Sequence, residues 1–305
     1  MTKEPLHQDR SEGLHHKTLW REAHYDLSGD VSFTRFLAWT GLLLLACGLV
    51  PLLVINVLDV PGTPLSGAPA TTAWHRPATP PAISDLASLP RATTFDVINE
   101  APPDLERGQA PNGHVVHPTR TVPVFSAPGK DAIAALPPKQ ITSDTWVPVV
   151  AEEAGWVQVL LPVRPNGASG WLSTQDDSLE HATSPYLITI ERNSYRLSLH
   201  QGGRLIGQWT VGIGKPTAET PAGRTFVLAS LIDPTQRFSP VILPLGTHSA
   251  SLETFGGGPG TTGIHGWPSQ DVFGKPSSDG CIRVPADALR LLSTEVPLGT
   301  PVLIK

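Results

Sequence analysis

The stretch IHGWPSQDVFGKPSSDGCIR, residues 264–283, contains a histidine and one of the chain's two cysteines. Cys281 follows His265 by sixteen positions, with Gly280 directly before it and Arg283 two positions after it. A cysteine attacks as its thiolate, and a neighbouring imidazole can accept the proton and leave an ion pair. Glycine before a nucleophile lets backbone amides approach a reacting carbonyl, and a guanidinium favours thiolate or holds a carboxylate. The stretch therefore predicts a nucleophilic cysteine site.

The sequence on both sides of this stretch predicts a mainly β unit over residues 185–305. Alternating apolar residues and turn signals predict a three-strand meander with a Gln201–Arg204 hairpin turn, two further strands and one helix near Pro285–Glu295. The strands are expected at Tyr186–Glu191, Tyr195–His200, Leu205–Val211, Thr225–Ala229 and Pro301–Lys305. No strand–helix–strand alternation occurs, so a parallel Rossmann-type sheet is disfavoured.

These residues resemble the YkuD-type L,D-transpeptidase family, whose signature is His-Gly followed by Ser-x-Gly-Cys-(Ile/Val)-(Arg/Asn). Ser278-Asp279-Gly280-Cys281-Ile282-Arg283 fits that signature, Thr220-Pro221-Ala222-Gly223 resembles the family's Thr-Pro-x-Gly element, and Leu298–Val302 resembles its closing strand. The resemblance covers about 120 residues in the family's order. It implies a mixed-strand β-sandwich with one or two helices and the cysteine at a rim.

The resemblance also implies a role for each matching residue. Cys281 would be the nucleophile, with His265 as its general base, oriented by a backbone carbonyl near Gly266. The remaining residues would build the oxyanion hole or bind substrate, and they are Ser278, Asp279, Gly280 and Arg283. The reaction would pass a stem peptide of peptidoglycan through a thioester to an amine of another stem, with loss of D-Ala. No metal or cofactor is implied.

Asp279 departs from the pattern, because many family members carry histidine directly before the Gly-Cys pair. A carboxylate close to the sulfur would raise the pKa of the thiol and oppose thiolate formation. We therefore expect the Asp279 side chain to point away from the sulfur and to leave mainly its amide to the site.

Residues 115–180 predict a second, smaller unit of short strands separated by proline and glycine turns. The passages VPVFSAPG, TWVPVV, GWVQVLLP and GWL, beginning at Val122, Thr145, Gly155 and Gly170, resemble a bacterial SH3-like domain. The resemblance implies a small β-barrel that binds cell-wall peptides or packs against a catalytic neighbour. Trp146, Trp156 and Trp171 are interpreted as core residues, since tryptophan is usually largely buried.

The run Phe36–Leu58 is uncharged and long enough to cross a bilayer as one helix. The 35 residues before this run hold five lysines and arginines, whereas the equal length after it holds only Arg76 and Arg91. This bias predicts a cytoplasmic tail, residues 1–35, and a catalytic part on the cell-wall side. A cleavable signal peptide is the alternative, but the leading segment and the apolar run are both long for one. We therefore favour a retained single-pass membrane anchor.

Residues 59–114 are rich in proline, alanine, threonine and serine, and predict an extended linker that lifts the folded units off the membrane.

The chain has 305 residues, 32 prolines and a net charge of −5. That weakly acidic balance does not favour a nucleic-acid partner.

The leading functional expectation is a membrane-anchored enzyme that cross-links peptidoglycan. An L,D-carboxypeptidase that trims stem peptides, with water as acceptor, uses the same residues and stays open. A non-catalytic cell-wall-binding protein is the third alternative. A cysteine peptidase of the NlpC type is disfavoured, because its cysteine precedes its histidine in the chain.

Overall fold

The computed structural model describes residues 76–254 and 258–305. This part of the chain is mainly β, as predicted, and its one α-helix is α1 (Ala286–Glu295). Short 3-10 helices occur at Leu86–Ser88, Arg192–Ser194 and Gln270–Val272.

Within the described ranges no helix has the length and apolar character needed to span a bilayer. The predicted tail, residues 1–35, and the predicted anchor, residues 36–58, lie outside the described residues.

Residues 114–183 form an antiparallel sheet of seven strands and one small hairpin. The strands are β1 (His114–Pro118), β2 (Val122–Phe125), β3 (Ala132–Leu136), β4 (Lys139–Gln140), β5 (Ser143–Asp144), β6 (Val147–Glu153), β7 (Trp156–Leu160), β8 (Ser169–Ser173) and β9 (Leu179–Thr183). The sheet order is β3-β2-β8-β7-β6-β1-β9, and β4 pairs only with β5. The prediction of a closed SH3-like β-barrel over residues 115–180 is therefore wrong, because the sheet is open. Strand β9 pairs along the whole of β1, so the sheet ends at β9 and does not return to β3.

The three tryptophans of this sheet lie in the core, as the sequence predicted. Trp146, Trp156 and Trp171 are each at most 9% exposed. The Phe125 ring meets the Trp156 ring edge-on, with 5.1 Å between ring centroids. This geometry is typical of aromatic pairs that contribute packing energy rather than a binding surface.

The described end of the predicted linker, residues 76–113, is not a free spacer. Ala92, Ile98 and Ala101 are buried in the core of the seven-stranded sheet. Single backbone bridges join this segment to the sheet, and they are Arg91–Ala135, Val97–Arg164 and Pro103–Ala168. The prediction of an extended linker over residues 59–114 is therefore wrong for this stretch. Its buried apolar residues have irregular spacing, so no periodic pattern marks them in the sequence.

Residues 186–304 form the second part of the fold, with ten further strands. They are β10 (Tyr186–Glu191), β11 (Arg196–Gln201), β12 (Arg204–Thr210), β13 (Ile213–Gly214), β14 (Gly223–Phe226), β15 (Ile242–His248), β16 (Thr261–His265), β17 (Pro276–Ser278), β18 (Ile282–Arg283) and β19 (Pro301–Ile304). The predicted meander is confirmed as β10–β11–β12, and Gly202 and Gly203, at φ +55° and +79°, make the turn between β11 and β12.

Two sheets of mixed direction share one core in this part. The first has the order β12-β11-β10-β19-β14 and the second β15-β16-β18. Strand β10 is parallel to β19, and β16 is parallel to β18. Ile188 of the first sheet and Ile264 and Ile282 of the second are buried in the same apolar cluster. This is the two-layer arrangement expected of a mixed β-sandwich.

Helix α1 covers one side of that core. Ala288, Leu289 and Leu292 are its buried residues and form its apolar face. The helix begins at Ala286, one position after the predicted start, and Pro285 is its N-cap.

Candidate active site

Two adjacent parallel strands bring the predicted histidine and cysteine together. In the pairing of β16 with β18, Ile264 lies opposite Ile282 and His265 opposite Arg283. His265 therefore ends one strand, and Cys281 directly precedes the start of the other. Both line one cavity of about 270 Å³, which Asp279, Ser278 and Arg283 also line. Parallel pairing thus converts a separation of sixteen residues into a shared site.

His265 is held in one orientation by its neighbour. Its Nδ1 lies 2.7 Å from the Gly266 carbonyl oxygen. Because a carbonyl only accepts, Nδ1 carries the proton, and in the neutral ring Nε2 keeps its lone pair. This bond agrees with the orientation expected from the family resemblance. Burial lowers the pKa of His265 to about 4. The hydrogen bond to Gly266 raises this pKa, but by less than burial lowers it. The imidazole is therefore a neutral base at pH 7.

The thiol of Cys281 is protonated at rest. Burial raises the pKa of the thiol, and the nearby Asp279 charge raises it further. The Gly263 backbone amide and the Arg283 charge lower the thiol pKa, but by less. A neutral thiol beside a neutral imidazole differs from the expected ion pair, because both groups lose the solvation that would support charge.

The loop before the cysteine is held by hydrogen bonds to two side chains. Ser278 Oγ donates to the Cys281 carbonyl at 2.5 Å and accepts the Gly280 amide at 3.2 Å. Thr220 Oγ1 donates to the Gly280 carbonyl and accepts the Gly214 amide, both at 2.9 Å. Gly280 has φ +116°, where a side chain is strained. Ser278 therefore positions the loop, and Gly280's amide is already engaged rather than free for an oxyanion.

The Asp279 carboxylate is directed to Lys215. The Lys215 Nζ to Asp279 Oδ1 distance is 2.5 Å, and the two side chains are 49% and 47% exposed. The Lys215 backbone amide also donates to the Ser278 carbonyl at 2.9 Å. The carboxylate thus has a cationic partner at the rim of the cavity. Its charge still raises the pKa of the Cys281 thiol, and the expectation that its side chain points away from the sulfur stays a prediction.

Arg283 lies flat against an aromatic ring in the cavity wall. Its guanidinium carbon is 3.6 Å from the centre of the Trp267 ring, and its Nη1 donates to the Ser277 carbonyl at 2.7 Å. Its Nε is buried with no partner among the described residues. Stacking of this kind holds a guanidinium while leaving its charge available.

Sequence reasoning missed four residues of this site. They are Trp267, Phe238, Thr220 as a loop clamp, and Lys215. The Phe238 ring packs edge-on against His265 at 4.9 Å between centroids. Trp267 directly follows His-Gly, so its position was the available signal, whereas Phe238 and Lys215 carry no local motif.

Gly266 is confined between the helix and the loop before β15. Its amide donates to Ser239 Oγ at 2.8 Å, and a Cβ here would lie 3.3 Å from both Leu289 Cδ2 and Ser239 Oγ. The position therefore supplies backbone groups to the site and leaves little room for a side chain.

Residues 185–304 match the family model described as the YkuD L,D-transpeptidase catalytic domain. A Bacillus licheniformis relative, provisionally named L,D-transpeptidase YkuD, is 30% identical over 122 residues, which cover 40% of this chain and 67% of the relative. Bacillus subtilis YqjB, also provisionally named an L,D-transpeptidase, is 30% identical over 125 residues, covering 39% and 70%. A solved L,D-transpeptidase from Mycobacterium smegmatis aligns with 15% identity over 49% of this chain and 90% of its own, at a TM-score of 0.34.

The sequence matches fall on the part of the chain that holds the two-sheet fold and the cavity. His265, at the end of β16, and Cys281, directly before β18, both lie within the region that matches the L,D-transpeptidase catalytic domain model. The chain belongs to the YkuD family.

Proposed function

We propose that this protein is a peptidoglycan L,D-transpeptidase that cross-links stem peptides through a thioester on Cys281. The observation that carries the proposal is the placement of Cys281 and His265 at one cavity, His265 at the end of β16 and Cys281 directly before the parallel strand β18. The His265 tautomer supports it, because the Gly266 bond leaves Nε2 as the basic atom.

In acylation, His265 Nε2 takes the thiol proton as the Cys281 sulfur attacks the carbonyl carbon after the L-centre of diaminopimelate. Backbone amides of the Asp279–Cys281 loop stabilise the oxyanion, with the Cys281 amide first, since Gly280's amide already donates to Ser278. Collapse breaks the peptide bond, and the imidazolium returns the proton to the departing amine of D-Ala. A thioester and a neutral imidazole remain.

In the second step, an amine of another stem peptide attacks the thioester. His265 accepts a proton from that amine and gives it to the departing sulfur, so a new amide forms and the free thiol returns. Neither step calls for a metal or a cofactor. Water in place of the amine gives an L,D-carboxypeptidase, which is the alternative within the same chemistry.

Arg283 is proposed to hold a carboxylate of the donor stem. Its guanidinium lines the cavity beside Cys281. A charge-assisted hydrogen bond from that guanidinium would orient the peptide for attack.

The proposed location is the cell membrane, with a cytoplasmic amino terminus and the catalytic part on the cell-wall side. The apolar run at residues 36–58 and the excess of basic residues before it support this arrangement.

The proposal is tested with the full chain in mild detergent and purified tetrapeptide muropeptides, with products read by mass spectrometry. The control is Cys281→Ala. We expect a dimer lighter than two donors by one D-Ala, formed by the wild type alone. Loss of D-Ala without dimer would instead favour the carboxypeptidase.

A non-catalytic wall-binding protein predicts a different result. The muropeptide masses would stay unchanged with wild type and Cys281→Ala alike, while the protein still sedimented with isolated cell walls. That pair of results would overturn the enzymatic proposal.

A further inference from the structure

We propose that Arg164, from the loop between β7 and β8 of the seven-stranded sheet, is a positioning residue that fixes one wall of the catalytic cavity. Residues 185–304, which carry the family match, do not include it. The inference rests on the proposed function, because it assumes that the reaction takes place in this cavity. The geometry of the wall can be measured even if that function is wrong.

The wall comes from the two segments between β15 and β16, together with the first residues of β16. Ser249, Leu252, Gly260, Thr261 and Thr262 line the cavity here. The Ser249 amide donates to the Gly260 carbonyl at 2.9 Å, which joins the two segments at their base. We call these five residues the cavity wall.

Arg164 bridges the two segments with a single nitrogen. Its Nη2 donates to the Leu252 carbonyl at 3.1 Å and to the Pro259 carbonyl at 3.0 Å. An Nη group carries two N–H bonds in one plane, so it can serve two carbonyls at once. A Cβ at Gly260 would lie 2.3 Å from the Leu252 oxygen and 3.0 Å from this nitrogen, so the three groups converge without spare space.

The backbone that carries Arg164 is itself anchored. The Arg164 amide donates to the Asp96 carbonyl at 3.1 Å, and its own carbonyl accepts the Ile98 amide at 2.9 Å. Ile98 is buried in the core of the sheet. The guanidinium therefore projects from a fixed platform rather than from a free loop.

Asn166 holds the end of β15 in the same manner. Its Nδ2 donates to the His248 carbonyl at 2.7 Å, and its Oδ1 accepts the His248 amide at 2.8 Å. Thr94 Oγ1 lies 2.9 Å from His248 Nε2 and 2.7 Å from Thr261 Oγ1. Three residues from outside the matched family region thus contact the strands that frame the wall.

A positioning role makes a specific kinetic prediction. Arg164→Met keeps the aliphatic stem and removes both donors, so the wall loses its bridge while Cys281 and His265 stay intact. We expect KM for the donor muropeptide to rise about tenfold and kcat to change less than about threefold. The reason is that the variant loses two hydrogen bonds from a charged donor, and these bonds affect where the substrate sits rather than the reaction itself. Arg164→Lys keeps the positive charge but not the planar guanidinium that bonds both carbonyls. We therefore expect its KM to stay close to that of Arg164→Met. Full recovery by Arg164→Lys would overturn the bridging role.

The second measurement needs no muropeptide activity. In a Cys47→Ala background, Cys281 is alkylated with iodoacetamide and with a bulky maleimide, and the ratio of the two rates is compared. We expect Arg164→Met to change that ratio about fivefold or more, since two of the wall's hydrogen bonds are lost. Arg120→Met is the matched control, because Arg120 pairs with Asp176 on the same sheet and does not line this cavity.

The outcomes separate the two proposals. A changed ratio in a protein without transpeptidase activity would retain the positioning role and reject the proposed function. An unchanged ratio and an unchanged KM would overturn the positioning role while the transpeptidase stands. If Arg164→Met does not fold, Arg164→Lys with amide hydrogen exchange at residues 249–254 and 258–262 replaces it. Unchanged exchange there would overturn the inference.

Discussion

At the scale of single residues, burial sets the resting protonation of His265 and Cys281. The same cavity lowers the pKa of His265 and raises that of Cys281, so both groups rest neutral. Burial disfavours charge on either group, and in the proposed mechanism charge develops as the sulfur attacks a substrate carbonyl. The resting site is therefore protected from adventitious alkylation.

This arrangement predicts the pH dependence of the thiol. In a Cys47→Ala background, iodoacetamide alkylation of Cys281 should be slow at pH 7 and still rising above the pKa of an ordinary thiol, because burial raises the pKa of Cys281. Transpeptidation, which needs neutral His265, should keep its base down to about pH 4. Mass spectrometry of the labelled protein gives the first profile. A plateau between pH 5 and 7 would instead reveal a resting ion pair.

A second prediction concerns Asp279. Because its carboxylate is paired with Lys215, Asp279→Asn should change the alkylation rate of Cys281 less than tenfold, about one pKa unit. Lys215→Met should slow alkylation, since the freed carboxylate raises the thiol pKa. Adding Asp279→Asn to Lys215→Met should restore the rate.

The comparison is a double-mutant cycle on a half-exposed pair, so solvent reduces each effect. A gain above tenfold in Asp279→Asn, with a lower thiol pKa, would show that the carboxylate acts on the sulfur directly. Equal rates in all four proteins would remove Lys215 from the site.

At the scale of elements, the cysteine loop depends on one buried threonine. Thr220, in the stretch between β13 and β14, joins the Gly214 amide to the Gly280 carbonyl and is fully buried. Thr220→Val keeps the shape but leaves both backbone groups without their partner. The expected loss is about 1–3 kcal/mol in the free energy of unfolding, with slower acylation of Cys281.

Thr220→Ser is the matched control for that prediction, because it retains the hydroxyl. Urea unfolding and the acylation rate should both stay near wild type in Thr220→Ser. A Thr220→Val protein with unchanged acylation would mean that the loop keeps its shape without the clamp.

The strands of this part were predictable where their pattern was regular. The meander β10–β12 and the closing strand β19 have alternating or continuous apolar residues, and they were found within one or two residues. Strand β15 contains Pro244 and Gly246 and has an irregular register with β16, so it lacks the signal of a strand. The pairing of β16 with β18 joins residues far apart in sequence, which no local pattern encodes. The sequence motif thus located the site, whereas the contacts of Thr220 and Lys215 that support it are visible only in the structure.

At the scale of the whole molecule, the segment predicted to be a linker contributes a buried charge. Asp104 accepts from Arg224 of β14 through both carboxylate oxygens, at 2.7 and 2.6 Å. The two side chains are 2% and 4% exposed. Composition alone indicated an extended spacer here, because a single buried aspartate leaves no mark in a proline-rich stretch. The pair joins the segment before the seven-stranded sheet to the five-stranded sheet, which shares its core with β15-β16-β18.

A buried ion pair that loses one partner leaves an uncompensated charge, which costs about 3–5 kcal/mol. Asp104→Asn removes the negative charge from Arg224 with almost no change in shape, so we expect a loss of that order in the free energy of unfolding, measured by urea denaturation of the full chain. Glu106→Gln is the control. Glu106 lies 3.9 Å from the same guanidinium but is 59% exposed, so its loss should cost at most about 1 kcal/mol.

The unfolding transition of Asp104→Asn also tests whether the two parts of the fold unfold together. Because Phe226 and Leu228, in and just after β14, are buried in the core of the seven-stranded sheet, the two parts of the fold share apolar contacts as well as the ion pair. We therefore expect Asp104→Asn to shift one cooperative transition that tryptophan fluorescence and the protection of Cys281 from alkylation both follow. Two separate transitions, with Cys281 protection unaffected by Asp104→Asn, would mean that residues 76–183 only tether the catalytic unit. Coincident shifts would mean that the catalytic cavity exists only when the amino-terminal segment is docked.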